Sequence, residues 1–193
     1  MPATRRQLLK FVAAGAVARA LSPLAGCARV APAVVSSLPK GNDVMNFQPL
    51  LTLRLTTAAT QAIGAGPHGT RLVFPITGGT FVGDRLRGKV LPGGGDWGIV
   101  RADGVLELDL RITLETDDGA LIHMTFDGIR HGPPEVIAAL GRGEAVDPAS
   151  YYFRTVPRFE TAAPKYAFLN RIVAIGVGEN SPSGPVHTIE EVL

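Results

Sequence analysis

From Leu106 to Thr116 the chain alternates without a slip, with Leu106, Leu108, Leu110, Ile112 and Leu114 on one parity and Glu107, Asp109, Arg111, Thr113 and Glu115 on the other. A helix, turning about 100° per residue, would scatter both sets around its circumference. Extended chain sends them to opposite faces. The segment is therefore a β-strand with one greasy and one charged face. Alternation leaves the placement of those faces open. Either the leucines enter the core and the charged row meets water, or Asp109 and Arg111 turn into a polar barrel lumen. In the second case the leucines pack under a helix, a second sheet or another subunit, which would make a homodimer.

The chain around this strand is punctuated by Gly and Pro at intervals of roughly 8 to 12 residues, the spacing of short antiparallel strands. "PLLTLRLTT", "TRLVFPITGGTFVG", "LRGKVLPGGG", "YYFRTVPRFE" and "NRIVAIGVG" are β-rich runs between such breaks. Ala102-Asp103-Gly104 and Asp117-Asp118-Gly119 read as hairpin turns, with Gly where a positive φ is needed. Only "PPEVIAALGRG" is helical in character: Pro134 suits a first turn, Glu135 the positive end of the dipole, and Gly141 a stop. The pattern predicts an all-β fold, either a barrel or a sandwich, with one short helix.

The amino end reads differently. Arg5 and Arg6, followed by Gln7, Leu8, Leu9 and Lys10, resemble the twin-arginine export pattern, with Leu8 where Phe is usual. The apolar run after them is interrupted by Arg19 and Pro23 and falls short of the ~20 clean residues of a membrane span. It ends in Leu24-Ala25-Gly26-Cys27, which resembles a lipoprotein cleavage box around the only cysteine of the chain. Residues 1–26 are thus expected to be a cleaved signal peptide, 27–46 a lipid anchor at Cys27 with a flexible tether, and 47–193 the β-rich domain. The expected location is the periplasmic face of a bacterial membrane, with Ala28 in place of Asp favouring the outer one. The chain has 19 basic and 17 acidic side chains. Removing Arg5, Arg6, Lys10 and Arg19 leaves a formal charge of −2, which gives no footing for a nucleic-acid partner.

Several motifs in order carry a family resemblance: "FPITGGTFVG", "KVLPGGGDWGIVRADGVLELDLRITLETDDGALI", "RHGPPEVIAAL", "DPASYYFRTVPRFETAAPKYAFLNRIVAIGVG" and the terminal "EEVL". From about Pro49 to Leu193 the chain resembles the DUF3237 (UPF0311) family. The resemblance implies a compact, single antiparallel β-barrel of about eight strands or more around a central cavity, with activity largely undefined. His123 stands where the family leads one to expect tyrosine, and Phe168 where tryptophan is usual.

In such a barrel the polar residues among the rings of Tyr151 to Arg171 acquire a purpose. Asp109, Arg111, Arg154, Arg158 and Glu160 are expected to pair in or at the mouth of the cavity, with Pro157 interrupting the ladder and re-aiming Arg158 and Glu160. For acid–base chemistry Asp109 or Glu160 would be the base, Arg154 and Arg158 would hold an oxyanion, and Tyr152 would donate a proton. Asp96, Trp97, Arg111, His123, Phe168 and Asn170 are the candidate ligand contacts. Gly93 to Gly95 suit a tight loop at the rim, with Asp96 and Trp97 as a polar hook and an aromatic lid.

The histidines occur singly, so no metal is expected, and neither a serine-nucleophile elbow nor a phosphate-cradling spacing is present. No cofactor is called for. Three functions remain open: binding of a small apolar or aromatic carbonyl or carboxylate ligand, a cofactor-free proton-transfer enzyme (isomerase, lyase or conjugate-addition cyclase), and an envelope assembly protein.

Overall fold

A computed structural model of the chain describes residues 45–193. The signal peptide, Cys27 and most of the tether lie outside the described residues. Eleven strands follow in order: β1 (Phe47–Thr57), β2 (Gln61–Gly66), β3 (Gly69–Val82), β4 (Arg87–Val90), β5 (Gly94–Asp96), β6 (Ile99–Val100), β7 (Leu106–Thr116), β8 (Leu121–His131), β9 (Tyr152–Glu160), β10 (Val173–Ser181) and β11 (Gly184–Val192). Helix α1 (Pro134–Gly141) and a 3-10 turn (Pro148–Ser150) fill the β8–β9 connection. A 3-10 helix (Pro164–Arg171) joins β9 to β10.

Every pairing is antiparallel, and the sheet closes because β1 pairs with both β11 and β3. The three short strands β4, β5 and β6 each pair with β3 on one side and β7 on the other, so together they fill a single place in the wall. The ring therefore has eight places, and β2 extends β3 outside it. Closure depends on a close approach at Gly79, whose φ is 145° and where a Cβ would lie 2.1 Å from the Arg54 carbonyl oxygen of β1. Only glycine fits that seam.

The Leu106–Leu114 row faces inward and is buried, while Glu107 and Arg111 are exposed and Asp109 is half-buried. The alternative in which these leucines meet another subunit is thereby removed. Burial of five aliphatic side chains, each contributing roughly 2 kcal/mol, outweighs any arrangement of the charged row in the lumen. β9 obeys the same parity, with Phe153, Thr155, Pro157 and Phe159 inside and Tyr152, Arg154, Val156, Arg158 and Glu160 outside. Pro157 does not break the ladder. β8 and β9 stay in register from His123 opposite Glu160 to His131 opposite Tyr152, with Phe126 opposite Pro157. The missing N–H is tolerated on the other side, where β9 meets β10 only at Arg154 and Thr155.

The interior divides along its axis. Toward one end, Phe81, Ile112, Leu114, Ile122, Met124 and Leu169 form a solid plug. The 3-10 helix helps to seal that end through Leu169 and Tyr166, the latter donating to Asp118 Oδ1 at 2.9 Å. Toward the other end the packing opens. Gly176 and Gly178 of β10 leave space that Thr155 and Phe153 occupy, and a Cβ on Gly178 would meet the Phe153 ring at 2.7 Å.

Candidate functional site in the barrel chamber

The open end encloses a cavity of about 660 Å³. Its walls come from Leu72 and Phe74 of β3, Leu106, Leu108 and Leu110 of β7, Phe126 of β8 and Phe153 of β9, with Leu140 of α1 reaching in from the mouth. One strand thus serves both ends: β7 lines the chamber with Leu106 to Leu110 and the plug with Ile112 and Leu114. Three ionisable side chains share this space, namely Asp96, Arg130 and His187, and Thr56, Thr57, Thr60, Asn180, Ser181 and Ser183 add uncharged polar lining.

Asp96 ends β5, where pairing with Leu110 of β7 turns its side chain inward. It is 6% exposed. The Asp109 backbone N–H donates to its Oδ1 at 2.9 Å, which fixes the carboxyl plane. Burial pushes its pKa up to about 6, and the Asp109 charge adds to that rise. The hydrogen bond from Asp109 N–H and the positive charge of Arg130 pull the other way. Near neutral pH this carboxyl therefore exchanges its proton readily, where an ordinary aspartate would stay ionised.

Arg130 lies on the inward parity of β8 with Ile122, Met124, Phe126 and Gly128. Its guanidinium sits 5.9 Å from the centre of the Phe153 ring, and its Nε is buried with no hydrogen-bond partner. Burial lowers its pKa, while Tyr151 and Asp96 partly offset that shift. His187 of β11 is 1% exposed and packs against two rings, Phe126 at 4.9 Å and Phe153 edge-on at 5.1 Å. Burial pushes its pKa down to about 4, so the imidazole is neutral at physiological pH, with Nδ1 lacking a partner. Thr155 Oγ1 is likewise buried and unpaired. Buried polar atoms are normally satisfied, and two orphans belong to side chains that line this chamber, Arg130 Nε and His187 Nδ1, which marks it as a candidate ligand site; Thr155 is turned against Gly176 and does not line it.

Of the residues expected from the sequence, the structure brings only Asp96 into this chamber. The network of Asp109, Arg111, Arg154, Arg158 and Glu160 is not formed inside, because the period of two that buries the leucines and phenylalanines turns each of them outward. Asp109 and Arg111 pair with each other at 2.9 Å on the outer wall. Arg154 lies over the Tyr152 ring at 4.9 Å, also outside. The Gly93–Gly95 stretch is not a rim loop, since Gly94 and Gly95 are part of β5 in the wall. Trp97 faces outward over Gly95, with Arg111 5.6 Å from its ring, and forms no lid. His123 is exposed opposite Glu160. Phe168 packs under Arg85 at 4.3 Å. Asn170 ties the chain back to Thr161, accepting from Thr161 N–H at 2.9 Å and donating to its carbonyl oxygen at 2.8 Å.

Arg130 and His187 were missed. The signal for Arg130 was available, for the greasy parity of "LIHMTFDGIRH" runs straight into it. His187 has a weaker one, sharing parity with Ile189 in "VHTIEEV". Among the described residues no three His, Cys, Asp or Glu side chains converge to hold a metal ion.

The family model of a protein of unknown function, DUF3237, matches residues 45–192. A UPF0311 protein of Rhodopseudomonas palustris is 40% identical over 151 residues, which span 75% of this chain and 99% of that protein. A crystal structure of a conserved protein of unknown function from Rhodopseudomonas palustris aligns with a TM-score of 0.73 at 36% identity, covering 77% of this chain and 97% of that one. A beta-barrel like protein from Acinetobacter baumannii gives 0.70 at 37%, covering 80% and 99%. An enzyme from Penicillium herquei shares the fold, with a TM-score of 0.59 at 22% identity over 77% of this chain and 95% of that one.

Proposed function

The chain belongs to the DUF3237 family, and from that premise we propose that its barrel is a receptacle for one small, flat, largely apolar molecule bearing a carbonyl or carboxylate oxygen. The observation that carries the reading is Arg130, a guanidinium with an unpaired buried Nε at the wall of a chamber of about 660 Å³. Arg130 is half-buried and partly desolvated, with Asp96 and Tyr151 as its ionisable neighbours but no hydrogen bond to either, so a ligand oxygen would supply the charge-assisted bond it lacks. The rings of Phe74, Phe126 and Phe153 and the leucines of β7 supply apolar contact for the rest of the ligand. Chambers of this size and lining commonly hold one drug-sized ligand. The same volume counts against the assembly reading, which needs the interior filled by side chains.

2-Naphthoate tests the proposal. Saturating ligand at about 100 times its dissociation constant adds about 2.7 kcal/mol of stability, a rise of several degrees in Tm. The wild-type domain should show that rise, and Arg130→Met should lose most of it. Unchanged melting of the wild type with 2-naphthoate and with related aryl ketones and phenols would dispose of the receptacle.

On sequence grounds alone we also place the mature domain at a bacterial envelope membrane, held by acyl chains on Cys27. Two or more chains anchor durably where one does not. Palmitate labelling of the full chain should disappear in Cys27→Ser, and labelling that persists in that variant removes the anchor.

A further inference from the structure

The chamber contains more than a receptacle requires. A site that only held an anionic oxygen would be served by Arg130 and uncharged walls, yet a buried carboxyl, that of Asp96, has been placed in the same chamber. That carboxyl is held at one oxygen only: Oδ1 accepts from the Asp109 N–H, and among the described residues no other hydrogen bond engages the group. Resting on the binding proposal above, we propose that the chamber catalyses proton transfer on an enolisable ketone of flat, mostly apolar skeleton, Asp96 taking the α-proton and Arg130 holding the enolate oxygen.

The step needs no cofactor. The α C–H bond breaks, its electron pair becomes the new C=C bond, the carbonyl π pair moves onto oxygen, and the proton sits on Asp96 Oδ2. Arg130 then faces a full negative charge where it had faced a dipole, so its interaction is stronger in the transition state than with the bound ketone. Return of the proton to the same carbon gives exchange with solvent. Return to the γ-carbon of an unsaturated ketone moves the double bond. Nothing is oxidised or reduced in either case.

Asp96 is the base by elimination within the chamber as well as by position. The neutral imidazole of His187, with its pKa pushed down to about 4, is a weaker base than a carboxylate raised to about 6. The hydroxyls that line the chamber, those of Thr56, Thr57, Thr60, Ser181 and Ser183, are not basic near neutrality. Ionised Asp96 is balanced by Arg130, which sits on the other side of β7, and burial of both groups keeps the two charges effective.

2-Tetralone, a flat ketone with acidic α-protons, and 2-naphthol, which copies its enol, test this directly. In deuterated buffer, proton NMR should show α-protons of 2-tetralone lost faster with the wild-type domain than with an equal concentration of acetate. The rate should rise with pH along a titration centred near 6. Asp96→Asn keeps an oxygen for the Asp109 N–H, so it should retain 2-naphthol binding while losing about 100-fold or more of the protein-dependent exchange. Arg130→Met should weaken both. Glu160→Gln, on the outer wall, should change neither. Binding of 2-naphthol without exchange above the acetate control, or exchange that survives Asp96→Asn, overturns the catalysis and leaves the receptacle standing. If Asp96→Asn fails to fold, a wild-type exchange rate flat from about pH 5 to about 8 overturns it as well. Failure of the wild type to bind 2-naphthol, 2-tetralone or 2-naphthoate removes the receptacle and the catalysis together.

Discussion

At the scale of single residues, the chamber holds side chains that stability alone would not choose. Asp96 has its carboxyl raised in the folded state, from 3.8 to about 6, chiefly by burial. Between those two values the folded protein binds more protons than the unfolded one, so stability must fall as pH rises through that window. The loss is on the order of 3 kcal/mol from pH 3 to pH 7. Asp96→Asn removes the cost of ionisation. Urea denaturation should therefore find the variant close to wild type near pH 4 and more stable above about pH 6.5, and a variant less stable than wild type at neutral pH would contradict the burial argument. Such a gain in stability at the expense of function is expected where a carboxyl is kept for chemistry. On the outer wall the Asp109–Arg111 pair is a contrast. Both side chains meet water, and Arg111→Ala should cost less than about 1 kcal/mol in the same measurement.

At the scale of strands, parity decides what each side chain can do. β10 presents Gly176 and Gly178 inward because β9 presents Thr155 and Phe153 across from them. Gly178→Ala would press its methyl against the Phe153 ring, which also contacts His187 and lines the chamber. Overpacking of this kind costs typically 1 to 3 kcal/mol, about the drop thermal unfolding should show, and 2-naphthoate binding should weaken with it as the ring moves. Parity was legible in the sequence for β7, β8 and β9, and so was the all-β class, while the choice of barrel over sandwich came from the family resemblance. What alternation could not state is which face is inside, since Leu-in with Asp-out and the converse have the same period. Placing ionic groups at the axis favoured Asp109, Arg154 and Glu160, whereas the energetics of five buried aliphatic residues in β7 favours the opposite face. Arg130 and His187 were then hidden in plain sight, as polar residues on greasy parities. The 3-10 helix Pro164–Arg171, which buries Tyr166 and Leu169, was not foreseen, since only the segment at Pro134 has a helical pattern. The division of one wall position among β4, β5 and β6 has no marker in the sequence beyond its glycines and Pro92.

At the scale of the whole molecule, an eight-place barrel is wide enough to leave either a packed core or room for one small ligand, and this chain does each at one end. The plug of Ile112, Leu114, Ile122 and Met124 stabilises the cylinder, so the other end can keep an unfilled volume and unpaired polar atoms. Integrity of the cylinder rests on the β1–β3 seam. Gly79→Val would drive side-chain atoms into the Arg54 carbonyl, and it should lower Tm by well over 10 °C or abolish folding, whereas the same change at the open position Gly141, which has ordinary φ, should cost far less. The central claim is that function resides inside the cylinder, at Arg130 and Asp96, and not among the arginines of its outer wall. A calorimetric titration of 2-naphthoate into wild type, Arg130→Met and the outer double variant Arg154→Met/Arg158→Met tests it most directly. The expected result is binding to the wild type, binding at least about 10-fold weaker in Arg130→Met, and wild-type affinity in the outer variant. Full affinity in Arg130→Met, with binding lost from the outer variant, would contradict it.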